Sequence, residues 1–326
     1  MKTRRIRIFA GPNGSGKSTV FQTAVEYQKT HPRFSFGKFI NADEIAEKIT
    51  KSNFQFSKFN LKTTLEEFCQ ISLNSGLLSG SFTLSLFKES FSLLNNILIL
   101  INKNRKDQIA QIIAEFLRVK LLDRKSSFSF ETVFSHPSKL EFIKLAKEKG
   151  YKIYLYFIAT ESSQINISRV NARSKDNGHD VPIDKIIKRY SNSLDLLFDA
   201  CQLADNTYFF DNSEENPEYK STLFASFKKV GGNKKWLING EEDIRQKLIK
   251  TPLDPFQTFS DDPLRMMRAI RFASQLNFAI DEAALTAIKT LVERMHIVSQ
   301  ERITDELNKI ILTKQPSRGF KLMQAT

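Results

Sequence analysis

The chain is predicted to be an α/β protein, a parallel sheet layered with helices, carrying an inserted helical subdomain and followed by a small all-α domain. Three observations predict this. Apolar, strand-like runs recur at residues 4–9, 38–41, 128–131, 152–159 and 207–211, with helical periodicity between most of them. A glycine-rich turn stands between the first run and the first helix, as in sheets whose strand ends hold a ligand. Beyond residue 240 come four helical segments without a strand-like run, punctuated by turn clusters at 251–255 and 315–317. At 326 residues two domains are expected, 1–238 and 239–326.

The first run, with Ile6, Ile8 and Phe9, leads into Gly11-Pro12-Asn13-Gly14-Ser15-Gly16-Lys17-Ser18-Thr19, and a helix-compatible stretch continues to Tyr27. The spacing Gly11-x4-Gly16-Lys17-Ser18 completes the phosphate-loop pattern, so the sheet is expected to be of the P-loop NTPase type and residues 11–19 to hold ATP or GTP. Backbone N–H groups in such a turn wrap the β-phosphate. Lys17 is expected to reach the β- and γ-phosphates, and the Ser18 hydroxyl to ligate Mg²⁺.

Residues 38–41 end in Asn41, with Asp43 just beyond, at the strand end where substrates sit in such folds. Asp43 can take a proton from an attacking hydroxyl; capping a helix that starts at Glu44 is the plainer role. Residues 60–124 read as entirely helical, most clearly 107–124, where Ile109, Ile112, Ile113, Phe116, Leu117 and Leu121 keep helical spacing. The most apolar run, 92–101, contains Asn95 and Asn96, is too short to span a bilayer, and is assigned to a core helix.

Glu131 and Thr132 close the third run, where Glu131 can hold a substrate hydroxyl or a metal-bound water, or simply be solvated. Arg169 and Arg173, four apart on a helix, can reach one transferring phosphoryl group; a surface arginine pair is the alternative. Gly178 permits a bend in a closing loop, with His179 as a lid contact. Residues 223–228 and 235–238 flank Val-Gly-Gly-Asn as a β-hairpin.

The net charge is +13, but residues 240–326 carry 13 Lys/Arg against 12 Asp/Glu, which leaves +12 to residues 1–239. Solvated lysine and a phosphate-binding cleft account for that, and charge alone does not make a nucleic-acid binder. Cys69 and Cys201 lie in apolar stretches, as reduced core thiols do, and no His/Cys cluster suggests a metal site besides Mg²⁺. With the phosphate loop at residue 11, no signal peptide is expected, and a cytoplasmic protein without a membrane span is.

The phosphate loop, Asn41-Ala42-Asp43, the run from Phe130-Glu131-Thr132 to Pro137, Arg169-Val170-x-x-Arg173, Gly178-His179-x-Val181-Pro182 and Arg189-Tyr190 together resemble the zeta-toxin family of P-loop kinases over residues 4–238. The resemblance implies Asp43 as catalytic base, with Lys17, Arg169 and Arg173 as the phosphate clamp. It implies Asn41, Glu131, Thr132, His179 and Arg189 as substrate contacts, ATP and Mg²⁺ as cofactors, and an antitoxin protein as a partner. The acceptor it implies is a sugar nucleotide such as UDP-N-acetylglucosamine. Asn177 stands where that family commonly has glycine, and the 60–124 insertion lies where acceptor selection can change. The stretch Leu77-Leu78-Ser79-Gly80-Ser81 lacks the second glycine and the glutamine of a transporter-ATPase signature, which excludes that class.

Residues 251–278, continuing through 301–308 to 319–322, resemble the neck of bacterial CCA-adding tRNA nucleotidyltransferases and poly(A) polymerases. That resemblance implies that Asp262 and Arg265 contact the base edge of an incoming nucleotide, and it makes tRNA or other RNA a possible partner. By spacing, Asp262 caps a helix with Pro263 in its first turn, and Asp261, Arg265 and Arg268 share a face; a structural salt-bridge cluster is the alternative. Nucleotidyl transfer needs paired carboxylates on a metal, and no Asp-x-Asp occurs, so the segment is expected to be inactive. The chain reads as a kinase joined to a fragment of an unrelated enzyme, by genuine fusion or by rearrangement. Three functions stay open: a small-molecule kinase, an RNA-associated fusion protein, and an ATPase switch without an acceptor.

Overall fold

The structure, a computed structural model, describes residues 3–31, 35–78, 80–175, 181–213, 222–230, 233–238, 241–251 and 254–326. The chain divides into two compact units, Met1–Leu237 and Ile238–Thr326.

In the first unit the strands are β1 (Arg5–Ala10), β2 (Lys38–Ile40), β3 (Phe54–Gln55), β4 (Phe91–Leu94), β5 (Ile97–Leu100), β6 (Phe128–Thr132), β7 (Lys152–Ala159), β8 (Asn206–Asp211), β9 (Thr222–Val230) and β10 (Asn233–Ile238). The helices are α1 (Lys17–Thr30), α2 (Ala42–Lys51), α3 (Leu65–Asn74), α4 (Leu84–Glu89), α5 (Lys106–Asp123), α6 (Ser138–Glu148), α7 (Ser163–Lys175), α8 (Ile183–Asp195) and α9 (Leu197–Leu203). Among the described residues seven strands form one sheet, ordered β10-β9-β8-β7-β1-β6-β2. β1 pairs in parallel with β6 and β7, β2 with β6, and β7 with β8, while β9 runs antiparallel to β8. The α/β fold with a parallel sheet is borne out, and the two strands expected as a hairpin extend that sheet at its β8 edge.

A parallel strand covered on both faces must be apolar throughout. β1 shows this: Ile6, Ile8 and Ala10 enter one core, and Phe9 enters another against Val20, Phe36 and Tyr156. α5 follows its expected spacing, with Ile109, Ile112, Ile113, Phe116 and Leu117 fully buried. The register sets Ala10 beside Thr132 and Ile40 beside Phe130. Because all three strands point the same way, the residues that follow β1 and β2 open at the same sheet edge as the end of β6.

Residues 60–124 are not entirely helical. The run 92–101 is a β-hairpin, β4 and β5, which joins β3 in a separate antiparallel sheet ordered β3-β5-β4. Asn95 and Asn96 occupy its turn with φ of 52° and 66°. Two successive left-handed residues match the twist of a two-residue hairpin, and asparagine tolerates that conformation better than other side chains. The Asn96 amide also donates to the Leu61 carbonyl at 2.8 Å and accepts from the Thr63 N–H at 3.0 Å. A short apolar run alone does not separate strand from helix; the paired asparagines decide it. This insertion shares one core with the main sheet, where its Phe68 and Phe116 join Ile6, Ile8, Phe128 and Phe130. Phe116 also meets Phe56 and Phe68 edge to face, at 5.3 and 5.1 Å between ring centroids.

The second unit contains α10 (Glu241–Arg245), β11 (Leu248–Ile249), α11 (Pro255–Asp261), α12 (Leu264–Leu276), β12 (Ala279–Ile280), α13 (Glu282–Leu291), α14 (Gln300–Ile311) and α15 (Pro316–Ala325). It is helical, as expected, except that β11 and β12 form a two-residue parallel pair, Leu248 beside Ala279 and Ile249 beside Ile280. Phe259, Met266, Ala284 and Ile288 pack one side of α12, and Met267, Ile270, Val298 and Ile310 another. Buried Glu306 on α14 meets Arg268 at 3.5 Å and Arg271 at 3.3 Å, both on α12, and Lys309 at 3.4 Å.

Candidate active site

Gly14 and Gly16 have φ of 76° and 87°, where side chains are strained. Space forbids them too: a Cβ on Gly14 would lie 2.6 Å from the Asn166 carbonyl oxygen, and one on Gly16 would lie 2.0 Å from Asn212 Nδ2. α1 then starts at Lys17 with no side-chain cap and no acidic residue in its first turn. Its leading N–H groups and its dipole therefore favour an anion. Lys17 is buried, and its Nζ donates to the Pro12 carbonyl at 2.7 Å. Burial holds its ammonium below the ordinary lysine range, Glu131 and Asp43 oppose that shift, and Arg173 and Arg189 add to it. Ser18 and Thr19 stand exposed in the first turn.

Ser18 Oγ donates to Glu131 Oε2 at 2.9 Å. Asn41 Nδ2 donates to the same oxygen at 2.9 Å. Asn41 also caps α2, its Oδ1 accepting the Asp43 N–H at 2.8 Å and the Glu44 N–H at 3.4 Å. The helix begins at Ala42, so the capping role weighed for Asp43 belongs to Asn41, a contact worth about 1 kcal/mol. Asp43 sits exposed in the first turn, facing the cavity. Burial raises the Glu131 carboxyl above the usual carboxylate range, Lys17 and the Ser18 hydroxyl pull it down, and Asp43 pushes it up.

Ser18 Oγ, Glu131 and the nearby Asp43 offer only hard oxygen donors, which fit a Mg²⁺ ion shared with phosphate oxygens. Among the described residues no group of three or more His, Cys, Asp or Glu could hold a metal by itself.

Lys17, Asn41, Asp43 and Glu131 line a cavity of about 380 Å³, together with Asn13, Thr132, Arg173 and Arg189. Arg189 Nη1 donates to Asn13 Oδ1 at 3.2 Å. The paired clamp expected of Arg169 and Arg173 does not form. Arg173 lines the cavity, whereas Arg169 is absent from its lining and Arg169 Nη1 donates to the Asn212 carbonyl at 2.7 Å. His179 and Gly178 lie outside the described residues.

The opposite wall comes from residues that motif reading did not find: Asp107, Gln111, Glu115 and Arg118 on α5, and His136 and Lys139 at the start of α6. Arg118 pairs with Glu115 and stacks over Phe130, its guanidinium carbon 5.1 Å from the ring centroid. Burial next to Arg118 brings the Lys139 ammonium down to about 8, against the pull of Glu115. Phe134, buried on the same wall, has φ of 59°, an outlier for so bulky a residue, and its N–H donates to Thr132 Oγ1 at 3.4 Å. The one usable signal was helical phase, since Gln111, Glu115 and Arg118 recur at spacings of four and three on the polar flank of α5.

In the second unit Asp262 follows α11, its Oδ1 accepting the Leu264 N–H at 3.2 Å and its Oδ2 pairing with Arg302 at 3.3 Å. Arg265 Nη1 donates to the Thr258 carbonyl at 3.5 Å. Asp261, expected to share a face with Arg265 and Arg268, ends α11 instead, one helix earlier. Among the described residues no helix is long and apolar enough to cross a membrane.

Residues 104–223 match the family described as "Zeta toxin", and residues 277–326 the family described as "Probable RNA and SrmB-binding site of polymerase A". The CCA-adding enzyme of Limosilactobacillus reuteri (strain DSM 20016) is 44% identical over 90 residues, 28% of this chain and 22% of the relative. That of Lactobacillus helveticus is 34% identical over 123 residues, 37% of this chain and 31% of the relative. The chain thus spans between a fifth and a third of these relatives' length. Among solved structures, the AvrRxo1-ORF1:-ORF2 complex with ATP aligns at 13% identity and a TM-score of 0.41, over 89% of this chain and 76% of that one. The PezAT toxin–antitoxin system of Streptococcus pneumoniae aligns at 16% and 0.36, over 65% and 70%. The chain is thus similar to the zeta-toxin family over residues 104–223 and to the polymerase-A RNA-binding family over residues 277–326.

Proposed function

We propose that this protein is an ATP-dependent kinase that phosphorylates a hydroxyl of a small anionic molecule. The observation that carries the reading is the meeting of Lys17, Ser18, Asp43 and Glu131 at one sheet edge, opposite a wall bearing Arg118 and Lys139. In this reading the acceptor oxygen bonds to the γ-phosphorus as the bond to the β–γ bridging oxygen breaks and ADP leaves. Asp43 takes the hydroxyl proton. Lys17 and the N–H groups of residues 14–18 hold the β- and γ-phosphates. Arg173 faces the γ-phosphoryl group as negative charge shifts toward the leaving oxygen. Ser18, with Glu131 beyond it, would hold Mg²⁺, which supplies charge neutralisation on the phosphates when bound.

The α5–α6 wall carries two cations, Arg118 and Lys139, beside the carboxylates of Glu115, which pairs with Arg118, and Asp107; in this reading the two cations meet a phosphate or diphosphate on the acceptor. A sugar nucleotide such as UDP-N-acetylglucosamine has that chemistry, and the match of residues 104–223 to the zeta-toxin family supports it. The second unit is read as inactive for nucleotidyl transfer: Asp262 and Arg265 are engaged inside the unit, and no paired-carboxylate motif accompanies them.

The test is transfer of labelled γ-phosphate from ATP to UDP-N-acetylglucosamine, with Asp43→Asn as control. Label on the sugar nucleotide that disappears with Asp43→Asn supports the kinase and the base together. Turnover of ATP that no acceptor stimulates would favour an ATPase switch, and undiminished transfer by Asp43→Asn would remove the base assignment.

A further inference from the structure

Arg169 and Arg173 stand four residues apart on α7, yet they point to different tasks. Arg173 lines the cavity, and Arg169 donates to the Asn212 carbonyl at 2.7 Å. Asn212 is fixed at both ends. Its N–H donates to the Ala159 carbonyl at 2.9 Å, and its side-chain Nδ2 donates to the Ser15 carbonyl at 2.9 Å. The close approach of Gly16 to the same Nδ2 leaves that amide packed against the loop backbone.

A phosphate loop binds anions because its N–H groups converge. Its carbonyls must then point away, and a carbonyl turned inward would oppose the phosphate. Ser15 is buried and its carbonyl is the one next to the left-handed Gly16, where the chain reverses. Asn212 satisfies that carbonyl from outside. We propose that Arg169–Asn212–Ser15 is a strut that holds the phosphate loop in its anion-binding shape and ties it to the helix bearing Arg173. Arg169 is then a positioning residue for nucleotide, not a phosphate ligand.

α7 grips the loop at a second point. Asn166, fully buried three residues before Arg169, sets its backbone carbonyl against Gly14, and its Oδ1 accepts from Thr160 Oγ1 at 2.5 Å. Tyr190 on α8 donates to the Thr160 carbonyl at 2.9 Å. A loop ordered by phosphate therefore also orders α7, and Arg173 with it. The nucleotide half of this inference rests on the kinase reading; the structural half does not, and the experiment separates them.

The 326-residue chain is compared with its Asn212→Ala, Asn212→Asp, Arg169→Gln and Arg169→Lys variants and with the Asn212→Ala/Arg169→Gln double variant. The first readout is hydrogen exchange of the 11–17 backbone amides without nucleotide; the second is the affinity of a fluorescent ATP analogue. The strut predicts about five- to tenfold faster exchange in Asn212→Ala, Asn212→Asp and Arg169→Gln, with ATP affinity falling in proportion. It predicts a double variant no worse than the worse single one, because both remove one chain of contacts. Arg169→Lys, which keeps a donor, recovers part of the loss, and Asn212→Asp, which keeps the packing but not the donor, does not. Unchanged exchange in both single variants overturns the proposal. So do additive losses, or an Arg169→Gln effect on kcat alone, which would return Arg169 to the phosphoryl group. A wild-type protein that binds no ATP analogue would sink the kinase reading, while the exchange data would still decide the strut.

Discussion

Ser18 Oγ and Glu131 Oε2, 113 residues apart in sequence, lie 2.9 Å from each other. The contact joins the hydroxyl expected to meet Mg²⁺ to a carboxyl that burial has shifted upward. In the proposed kinase, Glu131 would act on the metal side of the phosphates. With Asn41 Nδ2 on the same oxygen, its position is fixed from two elements.

Glu131→Gln keeps the size of the side chain and removes its charge. The Mg²⁺ concentration needed for half-maximal phosphotransfer is expected to rise about tenfold, a loss of about 1.4 kcal/mol. Binding of ATP measured in EDTA should change little. Equal Mg²⁺ dependence in the two proteins would take Glu131 away from the metal.

Gly16→Ala combines left-handed strain, about 1–2 kcal/mol, with the collision against Asn212. ATP binding should fall at least tenfold while the far-UV spectrum is retained. Calorimetric titration with ATP checks it, and Gly76→Ala, where a Cβ would meet nothing within 4 Å, serves as the control for φ strain alone.

The Lys139 ammonium, lowered to about 8, gives a signed pH dependence. Below that value it is cationic and attracts an anionic acceptor; above it the charge is lost. KM for the acceptor is therefore expected to rise as pH passes upward through about 8, and Lys139→Arg should flatten the profile. Stability moves the other way. Between about 8 and the ordinary value of 10.5 the unfolded chain binds more protons than the folded one, so this group's contribution to stability rises with pH over that window.

The hairpin turn discriminates between its two asparagines. Asn95→Gly suits the positive φ and should be neutral or slightly stabilising. Asn96→Gly suits it equally but removes the bonds to Leu61 and Thr63, and should cost about 1–2 kcal/mol in urea unfolding. Equal effects would mean that the turn is governed by φ alone.

In the second unit Glu306 is 1% exposed among three cations. Glu306→Ala removes the one buried carboxylate that Arg268, Arg271 and Lys309 share, although Lys309 keeps Asp305 at 2.7 Å, and should destabilise the unit by about 3–5 kcal/mol, read as a fall in the thermal transition of the 326-residue chain. Glu306→Gln should lose less, since the shape and one acceptor oxygen remain.

The sequence by itself determined the phosphate loop, the parallel sheet and the helical second unit. The loop is a contiguous motif, a doubly covered strand must be apolar along its whole length, and helical periodicity is local. Asn41, Asp43 and Glu131 were legible as strand-end polar residues for the same reason. Only the tertiary structure decided the rest. The hairpin at 91–100 was hidden because a short apolar run carries no period of its own, and its paired asparagines were the only local clue. The cavity wall of α5 and α6 was hidden because Glu115, Arg118 and Lys139 come from two helices that line one cavity only after folding. Arg169 and Arg173 share a helical face in sequence, yet a distant strand end, at Asn212, claims one and leaves the other to the cavity. Spacing along a helix fixes which side chains are neighbours; what lies opposite each is fixed by the chain that packs there.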